Sequence, residues 1–201
     1  MIAPGFSKQG LQVMAKPIGP ICNLDCSYCY YLGKKDLYPN GRHWGMTEQT
    51  LTAYIRQQIE AQPAGMEEIH FHWQGGEPTL LGLEFFRSAV KIQQQHILPA
   101  KRITNSLQTN GTLLTDAWCE FFLENDFLVG ISMDGPAELH DVYRLDKRDR
   151  PTHSKAEQGR RLLSKHGVNY NALVVVNRCN GERPLEVYRF FKRQGINFIQ
   201  F

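Results

Sequence analysis

No apolar run in this 201-residue sequence approaches the roughly 18 to 20 residues that a membrane helix needs, because Gly, Asn, Lys or Arg interrupts every long stretch. The opening MIAPGFSKQG lacks the charged-then-apolar pattern of a secretory signal. Neither sign of charge dominates. Twenty-three basic and 20 acidic residues leave a net charge of +3, too small and too mixed to argue for a nucleic-acid partner. The cysteines number five, an odd count with three of them close together, which speaks for a reducing, cytoplasmic setting rather than a disulfide framework. A soluble chain with 42% hydrophobic residues can bury a substantial core, and residues 1–201 read as one domain.

What the sequence does have is Cys22, Cys26 and Cys29, a C-x3-C-x2-C triplet enclosing Tyr28, in a loop directly after an apolar strand. Three thiolates can hold three irons of a four-iron, four-sulfur cluster and leave the fourth iron open to a small molecule, whereas a ferredoxin-type cluster closes with four. The same three cysteines could form most of a structural zinc site, with His43 or His72 as fourth ligand.

Strand and helix patterns alternate along the chain. Strands are predicted at Leu11–Lys16, Glu67–Gln74, Arg102–Thr109, Leu128–Met133, Tyr170–Val176 and Phe198–Phe201, the fifth read as buried on both faces. Between the first two strands lie the cysteine loop, running on through Asn40-Gly41, and a helix capped by Thr47 with Leu51, Tyr54, Ile55, Gln58 and Ile59 on one face. Further helices are expected from Leu83 to near Ile97, after Thr115 with Trp118, Phe121 and Phe122, from Lys155 to His166 with Gly167 as stop, and from Pro184 to Arg193. Six strands and five helices in this order predict an α/β fold, a partial (β/α)6 TIM-like barrel of parallel strands truncated at the sixth strand.

In such barrels chemistry sits in the loops after the strands. The cysteine loop, Gly75-Gly76-Glu77-Pro78, Gln108-Thr109-Asn110-Gly111 and Ser132-Met133-Asp134-Gly135 follow strands one to four in turn. Tyr28 offers an aromatic plane, Gly75 and Gly76 allow close backbone approach, and Ser132 and Arg144 can bond polar and carboxylate groups of a ligand. Glu77 and Asp134 are read as supporting groups. His70 and His72, alternating on one face of a strand, are read as packed or hydrogen-bonded structure rather than metal ligands, lone Cys119 and Cys179 as small apolar residues, and Leu145 to Arg150 as a solvated loop.

The segments ICNLDCSYCYY, QGGEPTL, SLQTNG, LVGISMDGP and INFIQF resemble the radical SAM superfamily, specifically the SPASM-type anaerobic sulfatase-maturating enzymes. The resemblance implies that Cys22, Cys26 and Cys29 ligate one 4Fe-4S cluster. It also implies that S-adenosyl-L-methionine binds the open iron near Tyr28, Gly75, Gly76, Glu77, Ser132, Asp134 and Arg144. A 5′-deoxyadenosyl radical then takes hydrogen from Cβ of a sulfatase Cys or Ser, giving Cα-formylglycine. The implied partners are a sulfatase polypeptide and a reductant such as flavodoxin or ferredoxin. A thioether- or carbon-crosslinking peptide modifier sharing these cofactor motifs is the neighbouring possibility. In the family a catalytic acid and two auxiliary clusters lie further along the chain than Phe201, so the sequence reads as the N-terminal part of such an enzyme, able to bind the first cluster but not to complete the oxidation.

Overall fold

The computed structural model describes residues 10–37 and 45–201; Asn40-Gly41 and His43 lie outside them. Six strands form one sheet: β1 (Met14–Ala15), β2 (Glu68–Trp73), β3 (Arg102–Thr109), β4 (Phe127–Ser132), β5 (Tyr170–Leu173) and β6 (Ile199–Gln200). They lie in chain order and every neighbouring pair is parallel. Five helices make the crossovers: α1 (Glu48–Glu60), α2 (Leu83–His96), α3 (Asp116–Glu124), α4 (His153–His166) and α5 (Pro184–Arg193). Residues from all six strands border a single cavity of about 570 Å³, so the sheet curls around its inner face.

The outer face carries the main core. Ile69, Phe71 and Trp73 of β2 and Val129 and Ile131 of β4 are buried against Leu51, Ile55, Phe86, Trp118, Phe122 and Leu163 of the helices. Trp73 meets Phe86 edge-on at 5.8 Å, and Phe122 meets Phe127 at 5.5 Å, separations at which ring quadrupoles attract. A second cluster, with Ala172, Val187 and Phe191, seals β5 against α5. Thr47 caps α1 by accepting from Thr50 N–H at 3.2 Å, and Gly167 ends α4 in the left-handed conformation at φ 70°. Thr115 occupies the cap position of α3 without a side-chain bond.

Three sequence expectations need correction. β1 is two residues rather than six, because side chains of α1 and of Gln62 just past its end capture the carbonyls that a longer ladder would use. Gln58 and Gln62 donate to Leu11 O at 3.1 and 2.8 Å, and Tyr54 to Val13 O at 3.4 Å. β5 stops at Leu173, since Val175 N–H turns to the Asp134 carboxylate at 3.0 Å and Asn177 caps a short helix, Arg178–Gly181, that holds Cys179. Nor is β5 buried on both faces: Asn171 and Leu173 border the inner cavity, and Val175 and Val176 are exposed. Among the described residues no helix is long and apolar enough to cross a membrane.

Candidate functional site

The cysteine loop is held by backbone bonds to the loops that follow β2 and β4. Gly76 N–H donates to Gly19 O at 2.7 Å and Glu77 N–H to Ile21 O at 2.8 Å; Asp25 N–H donates to Leu145 O at 2.8 Å and Ser27 N–H to Tyr143 O at 3.0 Å. The loop after β3 adds side chains, with Asn110 donating to Asn23 Oδ1 and Asn23 to Thr112 Oγ1, each at 2.9 Å. Leu145, expected in a solvated loop, is instead half-buried and part of the clasp, and Asp146 is half-buried with it, while Lys147 to Arg150 are exposed as expected.

A cavity of about 340 Å³ opens above the strand ends. Cys22, Cys26, Cys29, Tyr28, Gly75, Gly76, Ser132 and Arg144 all border it, so seven of the predicted site positions beyond Tyr28 meet in one place. Gln108, Asn110, Tyr30, Tyr31 and Val175 border it too and received no role on sequence. The Asn-Gly step after β3 was the one signal pointing to Asn110. Gln108, Ser132, Arg144 and Val175 also border the larger inner cavity, so the two spaces adjoin.

Glu77 and Asp134 do not border the smaller cavity; both are fully buried hubs beneath it. Glu77 accepts from Thr79 N–H at 3.1 Å, Thr79 Oγ1 at 2.6 Å, Thr109 Oγ1 at 2.8 Å and Asn110 N–H at 2.7 Å. Burial pushes its carboxyl up, and these four bonds oppose that shift. Asp134 accepts from Arg144 Nε at 2.9 Å and Nη2 at 3.1 Å, from Val175 N–H, and from the Tyr28 hydroxyl. Arg144 in turn lies over the Tyr28 ring, 5.5 Å from its centroid. The carboxylate that Arg144 grips is thus the protein's own.

Behind this pair sits His140. Its Nδ1 accepts from Asp134 N–H at 3.3 Å, so the neutral ring carries its proton on Nε2, 3.3 Å from Thr152 Oγ1, which donates to Arg144 O at 2.6 Å. Burial, the nearby Arg144 charge and His153 push His140 down to about 2.

Gly75 and Gly76 are glycines for a reason local to the loop. At Gly76 a Cβ would stand 2.0 Å from Ile21 O, and at Gly75, with φ +135°, 2.9 Å from Gly19 O. The cysteine loop's own backbone fills the space that side chains would need.

The donor set suits an iron–sulfur cluster. Backbone N–H groups point at two of the sulfurs, Leu24 N to Cys22 Sγ at 3.3 Å and Tyr31 N to Cys29 Sγ at 3.4 Å, bonds that favour thiolate. As free thiols Cys22 is raised by burial and Cys26 is pushed up by burial to about 11, with Arg144 opposing at Cys26. A single zinc ion needs thiolates about 2.3 Å from one point. Among the described residues no three His, Cys, Asp or Glu side chains gather that closely, and His72 is turned to Ser106 in the barrel interior.

The family model of the radical SAM superfamily matches residues 17–191. The chain belongs to the radical SAM superfamily. As a radical SAM protein it is 47% identical over 191 residues to the serine-type anaerobic sulfatase-maturating enzyme of Bacteroides thetaiotaomicron, covering 95% of this chain and 45% of that one. It is 39% identical to the cysteine-type anaerobic sulfatase-maturating enzyme of Clostridium perfringens, covering 95% and 51%. The structure of native anSMEcpe with bound AdoMet and the Cp18Cys peptide superimposes with a TM-score of 0.87 at 37% identity, over 96% of this chain and 50% of that one. The six parallel strands are the partial barrel of that radical SAM structure. The chain spans about half the length of the curated relatives it matches.

Proposed function

We propose that residues 1–201 form the radical SAM core domain of an enzyme that oxidises a Cys or Ser of a sulfatase to Cα-formylglycine. The observation that carries this reading is the convergence of three thiols, two glycines, Tyr28, Ser132 and Arg144 on one cavity at the strand ends, in a chain 47% identical to a named sulfatase-maturating enzyme. Cys22, Cys26 and Cys29 would hold the cluster. Tyr28, Gly75, Gly76, Ser132 and Arg144 would border bound S-adenosylmethionine, with Glu77 and Asp134 fixing the loops beneath it. When bound, cluster and S-adenosylmethionine supply a hydrogen-abstracting 5′-deoxyadenosyl radical.

The chain's own contribution is placement. Asp134 fixes the Arg144 guanidinium and the Tyr28 ring together, so ligand contacts at either meet a side chain already held in position. The substrate is a sulfatase polypeptide and the electron donor a flavodoxin or ferredoxin; the setting is cytoplasmic, with neither nucleic acid nor membrane as partner.

Anaerobic reconstitution followed by reduction with S-adenosylmethionine tests the reading. Wild type should release 5′-deoxyadenosine and Cys26→Ala should not. Zinc in place of iron, with no product, would overturn it.

A further inference from the structure

Along the inner face of the barrel, β2 and β3 pair in a register that sets Glu68 beside Arg102, His70 beside Thr104 and His72 beside Ser106. Alternation turns this set of side chains away from the buried Ile69, Phe71 and Trp73. Their polar atoms form an unbroken chain. Thr104 Oγ1 lies 2.9 Å from Glu68 Oε1 and 2.7 Å from His70 Nδ1; Ser106 Oγ lies 3.0 Å from both His70 Nε2 and His72 Nδ1. The two imidazoles pack with centroids 4.1 Å apart. Burial lowers both histidines, and a second cause at His70 is the His72 charge, so both rings are neutral at neutral pH.

The direction of every bond then follows. An ionised carboxylate only accepts, so Thr104 donates to Glu68 and must accept from His70 Nδ1–H. His70 Nε2 is consequently bare and accepts from the Ser106 hydroxyl. Ser106, having spent its one proton, accepts from His72 Nδ1–H. His72 Nε2 is left as an unprotonated base on a ring that borders the inner cavity. At the far end, Glu68 is half exposed and borders a separate cavity at the opposite mouth of the barrel.

We propose that Glu68, Thr104, His70, Ser106 and His72 form a proton relay that carries protons from the inner cavity through the barrel to solvent. A proton taken up at His72 Nε2 releases the Nδ1 proton to Ser106, whose own proton moves to His70 Nε2. His70 passes its Nδ1 proton to Thr104, and Thr104 passes its own to Glu68, which releases it to water. One proton enters, one leaves, and no electron moves. Rotation of the hydroxyls and ring flips of the imidazoles restore the starting polarity.

The use of the relay rests on the function proposed above. Converting a Cβ–SH or Cβ–OH group to its carbon–heteroatom double bond removes one hydrogen atom, one electron and one proton. The electron would require a one-electron acceptor of the iron–sulfur class, and the proton would require a base and an exit path. The existence of the relay does not rest on that reading, and its test uses neither cofactor.

Long-range proton–nitrogen NMR of the 201-residue protein, labelled with 15N-histidine, reads the tautomers directly near neutral pH. Both His70 and His72 should be neutral with the proton on Nδ1; an Nε2–H form of either ring would overturn the polarity and with it the relay. Conduction is read by exchange of the His70 Nδ1 proton with water. Thr104→Val, which keeps the shape and removes the hydroxyl, should slow exchange about tenfold, and Thr104→Ser should leave it unchanged. Equal exchange in wild type and Thr104→Val would overturn conduction. Failure of either readout leaves the 5′-deoxyadenosine assay untouched, so the two readings fall separately.

Discussion

Replacing Asp134 by Asn should remove a large part of the stability of this domain. The side chain keeps its volume, loses its charge, and turns one acceptor oxygen into an NH2 group that faces donors. Four donors converge there: two from Arg144, one from Val175 N–H and one from Tyr28. Arg144 is only 6% exposed, so the guanidinium would stay buried without its counter-ion. Breaking a buried ion pair by removing one partner costs about 3–5 kcal/mol, against a total of about 5–15 kcal/mol for an ordinary domain. With a urea m-value of about 2 kcal/mol/M the unfolding midpoint should fall by roughly 1.5–2.5 M. The decisive comparison is the double variant Asp134→Asn/Arg144→Met. It removes the stranded charge and should recover at least about 1 kcal/mol relative to Asp134→Asn alone. A cost below about 1 kcal/mol for Asp134→Asn, or double-variant effects that simply add, would refute the view of this pair as a buried, mutually dependent unit.

Gly76→Ala drives a methyl group into Ile21 O and strains the two backbone bonds that dock the cysteine loop; it should cost about 3 kcal/mol in urea unfolding and leave reconstituted protein with much less iron than wild type. Unchanged stability and iron content would show that the loop can move aside. His140 makes the fold sensitive to acid, because its folded value near 2 lies below the unfolded value near 6.5, so the unfolded chain binds the extra proton. Its contribution is complete above the unfolded value and is lost as the pH falls. Between about pH 7.5 and 5.5 it should cost about 1.4 kcal/mol, a slope that His140→Asn removes; an identical slope in the variant would refute the assignment. Tyr28→Phe removes one of the Asp134 donors and should cost about 1 kcal/mol in the same urea assay, with Arg144 still holding the carboxylate. A loss as large as that of Asp134→Asn would place the weight of the network on Tyr28 instead.

The helices and the loop positions were legible because periodicity and turn chemistry are local properties. Thr47, Gly167 and the Gly75-Gly76 pair each announce a cap or a tight approach within a few residues. What the sequence hid depends on partners far along the chain. The Leu11 and Val13 carbonyls are lost to β1 because residues some 40 to 50 positions later accept the role of ladder partner. Asp134 ends β5 by taking the Val175 amide, a competition that no strand propensity encodes. Gly76 was legible as a close approach, but its neighbour proves to be the backbone of Pro20 and Ile21. The histidines of β2 were legible as one face of a strand, and only the β2–β3 register joined them to Thr104 and Ser106.

The clasp around the cysteines also has a history in time. Asp25 and Ser27 are shaped by carbonyls of Leu145 and Tyr143, which leave the ribosome about 120 residues after them. At about 5–20 residues per second that interval is roughly 6–24 s, during which the thiols of Cys22, Cys26 and Cys29 exist without the frame that later surrounds them. Closing of the frame is a late event in the birth of the chain, and any oxidant present has that window in which to reach the three sulfurs first.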